Sequence, residues 1–146
     1  MKRLVLIGVL IVTLISACIS CTLNAEKENA AVAVAEKWLA LVDTGKYSES
    51  WQEADENFRS DIKQDRWAQL LSARMSLGKV ISRKLTTKSY TMPLFNIHHV
   101  QSVTINFETS FQGQKSTSFK EAIIVVDKDG EWRVSGYNFL NQSNIW

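Results

Sequence analysis

The spacing of apolar and polar residues changes character several times along the chain. Leu4 to Ile15 is an almost unbroken apolar run, relieved only by Gly8 and Thr13. Residues 19 to about 28 are polar and without period. Ala31, Val34, Ala35, Trp38, Leu41 and Val42 then recur at helical spacing, with Glu36 and Lys37 on the other side. Gly45, just after Asp43-Thr44, is a C-terminal stop. A short second helix over about Tyr47 to Ala54 puts Tyr47, Trp51 and Ala54 on one face. A third carries the stripe Trp67, Leu70, Leu71 and Arg74, with Ile62 placed to staple back onto Trp67 and Gly78 as its end.

From Lys79 the pattern becomes that of strands. Residues 79–92 are rich in Ser, Thr and β-branched residues and stop at Pro93, the only proline. Val103, Ile105, Phe107, Thr109 and Phe111 alternate with Ser102, Thr104, Asn106, Glu108 and Ser110, as in a half-buried antiparallel strand. Gln112-Gly113-Gln114 turns the chain. Phe119 to Val126 is apolar on both faces and so is expected at the centre of the sheet. Asp127-Lys128-Asp129-Gly130 reads as a hairpin turn, and Trp132 to Phe139 as the last strand. Helices first and a strand meander after them predict one two-layer α+β domain: three N-terminal helices on an antiparallel sheet of about four strands.

The N-terminal run changes the domain picture. Lys2 and Arg3 precede an apolar stretch too short for a comfortable membrane-spanning helix, which needs roughly 20 residues, but suited to the core of a signal peptide. Ile15-Ser16-Ala17-Cys18 resembles the lipobox of bacterial lipoproteins, in which the cysteine thiol accepts lipid and becomes the mature N-terminus. The expected organisation is therefore a signal peptide over 1–17, a lipidated tether over 18–28 and the α+β domain over 29–146. Cys18 and Cys21 both precede the domain, which leaves it without disulfide, thiol nucleophile or cysteine metal site. With Lys2 and Arg3 in the leader, the remaining 15 basic residues equal the 15 acids, which argues against nucleic acid as a partner. Between Arg66 and Phe107 there is no Asp or Glu, while Arg66, Arg74, Lys79, Arg83, Lys84 and Lys88 all fall there. That stretch reads either as solvated lysines that guard an edge strand or as an anion-facing surface.

Several short segments resemble one family. Trp38 to Asp43, Gly45-Lys46-Tyr47, Ser50-Trp51, Trp67, Leu77-Gly78, Ser82-Arg83, Tyr90-Thr91, Glu121 and Asp129 to Tyr137 are similar to the bacterial domain-of-unknown-function family numbered 4019. The likeness runs from about Ala31 to Tyr137. The closing Asp129-Gly130-Glu131-Trp132-Arg133 is also similar to proteins with the cone fold of nuclear transport factor 2. The resemblance implies a cone-like sheet, strongly curved in the cystatin or nuclear-transport-factor-2 manner, with the helices in its concave side. It implies no activity. Lys63 departs from the pattern, standing where a Ser or Thr cap is expected before the third helix, with Asp61 and Gln64 as substitutes.

Few residues carry chemistry. Glu121 shares a strand face with Phe119, Ile123 and Val125, and a carboxylate among apolar neighbours must be paired or have a raised pKa. Arg83, alternating with Ile81 and Leu85, is its natural partner. The two either line a ligand pocket, with Glu121 as a candidate catalytic base, or form a buried ion pair that fixes strand register. Trp132 is a third candidate binding residue, and Trp38, Trp51 and Trp67 read as core. His98 and His99 point to opposite faces of an extended segment, too few for zinc, so neither metal nor cofactor is expected. These features describe an exported, lipid-anchored envelope protein, a non-enzymatic binding or interaction module for a small apolar ligand or a protein. A homodimer through the sheet face, around Ala122, Ile124 and Val126, is a further expectation. The alternative is a small cone-fold hydro-lyase or isomerase using Glu121.

The lipobox reading has a direct check. A labelled fatty acid is expected to enter the wild-type chain and not Cys18→Ala, and the intact mass is expected to begin at a modified Cys18. An unmodified chain starting at Glu26 would contradict it.

Overall fold

The computed structural model describes residues 2–92, 100–114 and 118–141, with side chains described from residue 22 to residue 140 within those ranges. Helices α1 (Lys2–Asp43), α2 (Tyr47–Glu53), α3 (Glu56–Asp61) and α4 (Gln64–Met75) precede strands β1 (Val80–Thr91), β2 (Gln101–Phe111), β3 (Ser118–Lys128) and β4 (Glu131–Asn141). The strands form one antiparallel meander in the order β1-β2-β3-β4. His98, His99 and Pro93 lie outside the described residues.

The core is the contact between α1 and the sheet. Ala31, Ala35, Trp38, Leu39 and Val42 are buried on α1, and the helix touches all four strands. On β2 the buried residues are Val103, Ile105, Phe107, Thr109 and Phe111, the alternation the sequence predicts. Ser50 of α2 pins two tryptophans: its carbonyl accepts from Trp38 Nε1 at 2.7 Å and its hydroxyl from Trp67 Nε1 at 3.0 Å. Indole N–H groups in a core need such acceptors. Trp38, Trp67 and Tyr137 then meet pairwise at ring separations of 5.5–5.6 Å.

Gly78 lets α4 end against the sheet. Its φ of 91° is in the left-handed region, and a Cβ there would come within 3.2 Å of Gly113 N. That close approach lets Gly113 N donate to Leu77 O at 3.0 Å, which ties the end of α4 to the β2–β3 turn.

Three expectations need correction. The sheet is open and uncurled, so neither the cone nor the likeness to nuclear transport factor 2 holds. Strong curvature needs bulges in the pairings that bend. The central pair β2–β3 runs without a register shift from Gln101↔Asp127 to Ser110↔Ser118, and the shifts fall only in the outer pairings. The Asp-Gly-x-Trp-Arg stretch that suggested the cone is a local hairpin signal. Asp129 and Gly130 take φ of 56° and 86°, as a two-residue turn of the mirror-image type requires, and that turn is indifferent to the curvature of the sheet behind it. The helices number four among the described residues, not three, because Asp55 caps an extra turn and a half by accepting from Asn57 N at 2.9 Å. Lys63 does occupy the cap position of α4 and makes no side-chain bond there, and Asp61 ends α3.

The segment read as a tether is helical, continuous with α1. Its last residue meets β1: Glu28 accepts from Tyr90 N and pairs with Lys88, which also donates to Asn29 just after it. Among the described residues no helix is long and apolar enough to cross a membrane.

Candidate functional site

Glu121 is fully buried, at 0 % exposure, in the middle of β3. Both of its oxygens are taken. Oε1 accepts from Arg74 Nε at 3.1 Å, Arg74 Nη2 at 2.9 Å and Tyr137 OH at 2.7 Å. Oε2 accepts from Arg83 Nε at 2.9 Å and Thr109 Oγ1 at 2.6 Å. A second carboxylate closes the cluster. Asp43, the last residue of α1, accepts from Arg83 Nη1 at 2.7 Å, Arg83 Nη2 at 3.1 Å and Arg74 Nη2 at 2.7 Å. The guanidinium of Arg74 also lies 5.0 Å from the Phe111 ring centroid and 5.8 Å from that of Phe139.

The cluster holds two guanidiniums and two carboxylates, so its formal charge is zero. Burial pushes the Glu121 carboxyl up, but the charges of Arg74 and Arg83 and the hydroxyls of Thr109 and Tyr137 hold it below the usual carboxylate range. Asp43 behaves alike: burial raises it, and the bonds and charges of Arg83 and Arg74 outweigh that. Tyr137 goes the other way. Its phenol is buried and faces the Glu121 carboxylate, and both keep it protonated well beyond its ordinary value.

Beside this cluster is a cavity of about 610 Å³ between α4 and β4. Phe58, Ile62, Trp67, Leu71, Leu77, Phe119 and Phe139 give it apolar walls, and Arg74 and Tyr137 present the edge of the cluster to it. Such a volume is in the range of small-molecule sites. Among the described residues, β4 is only partly covered, and the cavity lies along its uncovered part. Near its start, Asp55 N donates to Val134 O at 2.7 Å, while residues 135–139 line the open space.

Of the residues singled out in the sequence, Arg83 and Glu121 meet as an ion pair, and neither lines the cavity. Trp132 stands elsewhere, half-buried in a depression of about 230 Å³ with Val34, Trp38 and Val134. Sequence reasoning missed Arg74, Asp43, Thr109 and Tyr137. Arg74 left one signal, a charge at a core position of the α4 stripe. The acid-free stretch from Arg66 does not make one basic face. Arg74, Arg83 and Lys88 are engaged in ion pairs, and Arg66, Lys79 and Lys84 are exposed. Among the described residues no group of three His, Cys, Asp or Glu side chains could hold a metal.

The family described as "Protein of unknown function (DUF4019)" matches residues 34–137, well over half the chain. The chain belongs to the DUF4019 family. All six residues of the cluster fall inside the matched DUF4019 region, with Tyr137 at its last position. No curated protein matches the chain.

The cluster makes two predictions. Glu121→Gln and Arg83→Met should each cost about 3–5 kcal/mol, since each leaves a buried charge uncompensated, and the double variant should cost less than their sum. Strict additivity in denaturant melts would count against the pairing. Stability should also fall at both ends of the pH scale. The carboxyls of Glu121 and Asp43 are depressed, so their contribution is full above their unfolded values of about 4 and is lost as pH falls through the folded ones. The Tyr137 phenol is raised, so its contribution is full below about pH 10 and is lost as pH rises further. Tyr137→Phe should flatten the alkaline limb, while the acid limb persists because Arg74 and Arg83 still hold the carboxylates charged. An unchanged alkaline limb would contradict the assignment.

Proposed function

We propose that this protein is a non-catalytic binding module of the cell envelope, exported and held at a membrane by lipid on Cys18, with the cavity between α4 and β4 as its ligand site. The cavity carries this reading: its volume suits a small molecule, its walls are apolar and aromatic, and a rigid cluster closes one side. The lipobox at Cys18 supports the anchored location.

Two observations weigh against Glu121 as a base. A general base must come within hydrogen-bond reach of the proton it takes, and Glu121 has no exposed surface and does not line the cavity. Its carboxylate is also stabilised in the charged form by Arg74 and Arg83, which lowers its basicity. The outer sheet face offers little for a protein partner. Ile124 is 43 % and Leu140 52 % exposed, but Val126 is buried and Ala122 half-buried. The neighbouring outward positions on β2 are Ser102, Thr104, Asn106, Glu108 and Ser110. So small a patch is ordinary surface.

The test is a cavity-filling variant. Ala73 is exposed on α4 and lines the cavity without joining the core or the cluster. The purified full chain should bind the neutral dye N-phenyl-1-naphthylamine saturably. Ala73→Trp should weaken that binding about tenfold or more, as loss of an apolar site of this size implies, with the thermal midpoint unchanged. Equal binding by the variant would rule the cavity out as the site.

A further inference from the structure

Arg74 has one nitrogen to spare. Its Nε and Nη2 are used by Glu121 and Asp43, and among the described residues Nη1 has no hydrogen-bond partner. The side chain is 3 % exposed, so an idle donor there is costly. Arg74 lines the cavity, and Nη1 is the one of its guanidinium nitrogens that neither Glu121 nor Asp43 takes.

The charge around that donor selects its acceptor. Arg74 and Arg83 are already matched by Glu121 and Asp43. A third carboxylate, brought in by a ligand, would leave the buried group with a net negative charge, and desolvating an uncompensated ion is expensive. A neutral oxygen acceptor satisfies Nη1 without that cost. Most of the cavity wall is hydrocarbon and aromatic, Trp67, Leu71 and Phe139 among it.

We propose that the cavity takes a neutral acyl compound, an ester or amide, whose carbonyl oxygen accepts from Arg74 Nη1 while its hydrocarbon chain lies against Trp67, Leu71 and Phe139. This rests on the cavity being the ligand site and adds the chemical class of the ligand. The carbonyl supplies the acceptor the site lacks, and the chain supplies the apolar contact that water in the cavity cannot.

Three probes of equal chain length separate the possibilities: methyl decanoate, decanoate and decane, each titrated calorimetrically into the purified full chain at neutral pH. Arg74 side-chain nitrogen resonances are followed alongside. Methyl decanoate should bind about tenfold tighter or better than either of the others, the expected gain from one hydrogen bond to a charged donor, and should move the Arg74 Nη signal. Ala73→Trp should lose that binding at an unchanged thermal midpoint. Decanoate binding as tightly as the ester would overturn the neutral-acceptor assignment. Decane binding as tightly would overturn the role of Nη1 while leaving the cavity as an apolar site. If none of the three binds and Ala73→Trp leaves dye binding untouched, the ligand-site reading itself fails along with this one.

Discussion

A carboxylate with no surface in water has to be compensated where it stands, and Glu121 is such a group at the centre of the sheet. Its compensation comes from distant parts of the chain. Asp43 ends α1, Arg74 is in α4, Arg83 in β1, Thr109 in β2 and Tyr137 in β4. The cluster is therefore satisfied only when the helical layer sits on the sheet in one register. Apolar contacts between α1 and the strands supply most of the driving force, at roughly 25 cal/mol per Å² of apolar surface buried. They tolerate sliding by a residue or two far better than a cluster whose bonds are as short as 2.6 Å.

The same constraint shapes the open space. Arg74 holds the last turns of α4 over the sheet through Glu121 and Asp43, and Trp67 holds its first turn through Ser50. Between those anchors, Leu71 and the rest of the apolar side of α4 face β4 across the cavity. Tyr137 joins the two regions: its ring packs on Trp38 and Trp67, and its hydroxyl donates to Glu121. A cavity bounded by fixed elements is preorganised for a ligand, which lowers the ordering cost of binding. On the proposed reading, the buried acid is part of the frame around the cavity.

Sequence pattern revealed the parts of this arrangement that repeat. The alternation in β2 predicts which residues are buried, and the alternation of β1 and β3 brings Arg83 to Glu121. The Asp129-Gly130 turn is legible because its positive φ angles demand those residue types. What stayed hidden has no period or no local cause. Helix α3 spans six residues with only Phe58 buried, too few for a stripe. Residues 19–28 carry only Ile19 and Leu23 as large apolar residues, too few for a stripe that would mark their continuation of α1. Curvature depends on where bulges fall across several pairings, and no single segment encodes that. Arg74 sits where a leucine would serve the stripe equally well, and only its partners explain it.

The most direct measurement is the ionisation of Glu121 itself, followed through its side-chain carboxyl carbon by NMR in a chain labelled at glutamate. A cluster that holds the carboxylate charged predicts a titration midpoint below the ordinary glutamate value of about 4.3. A midpoint displaced upward toward neutrality would mean that Arg74 and Arg83 do not compensate it. Glu121 would then be the acid–base group of an enzyme rather than a fixed part of a binding module.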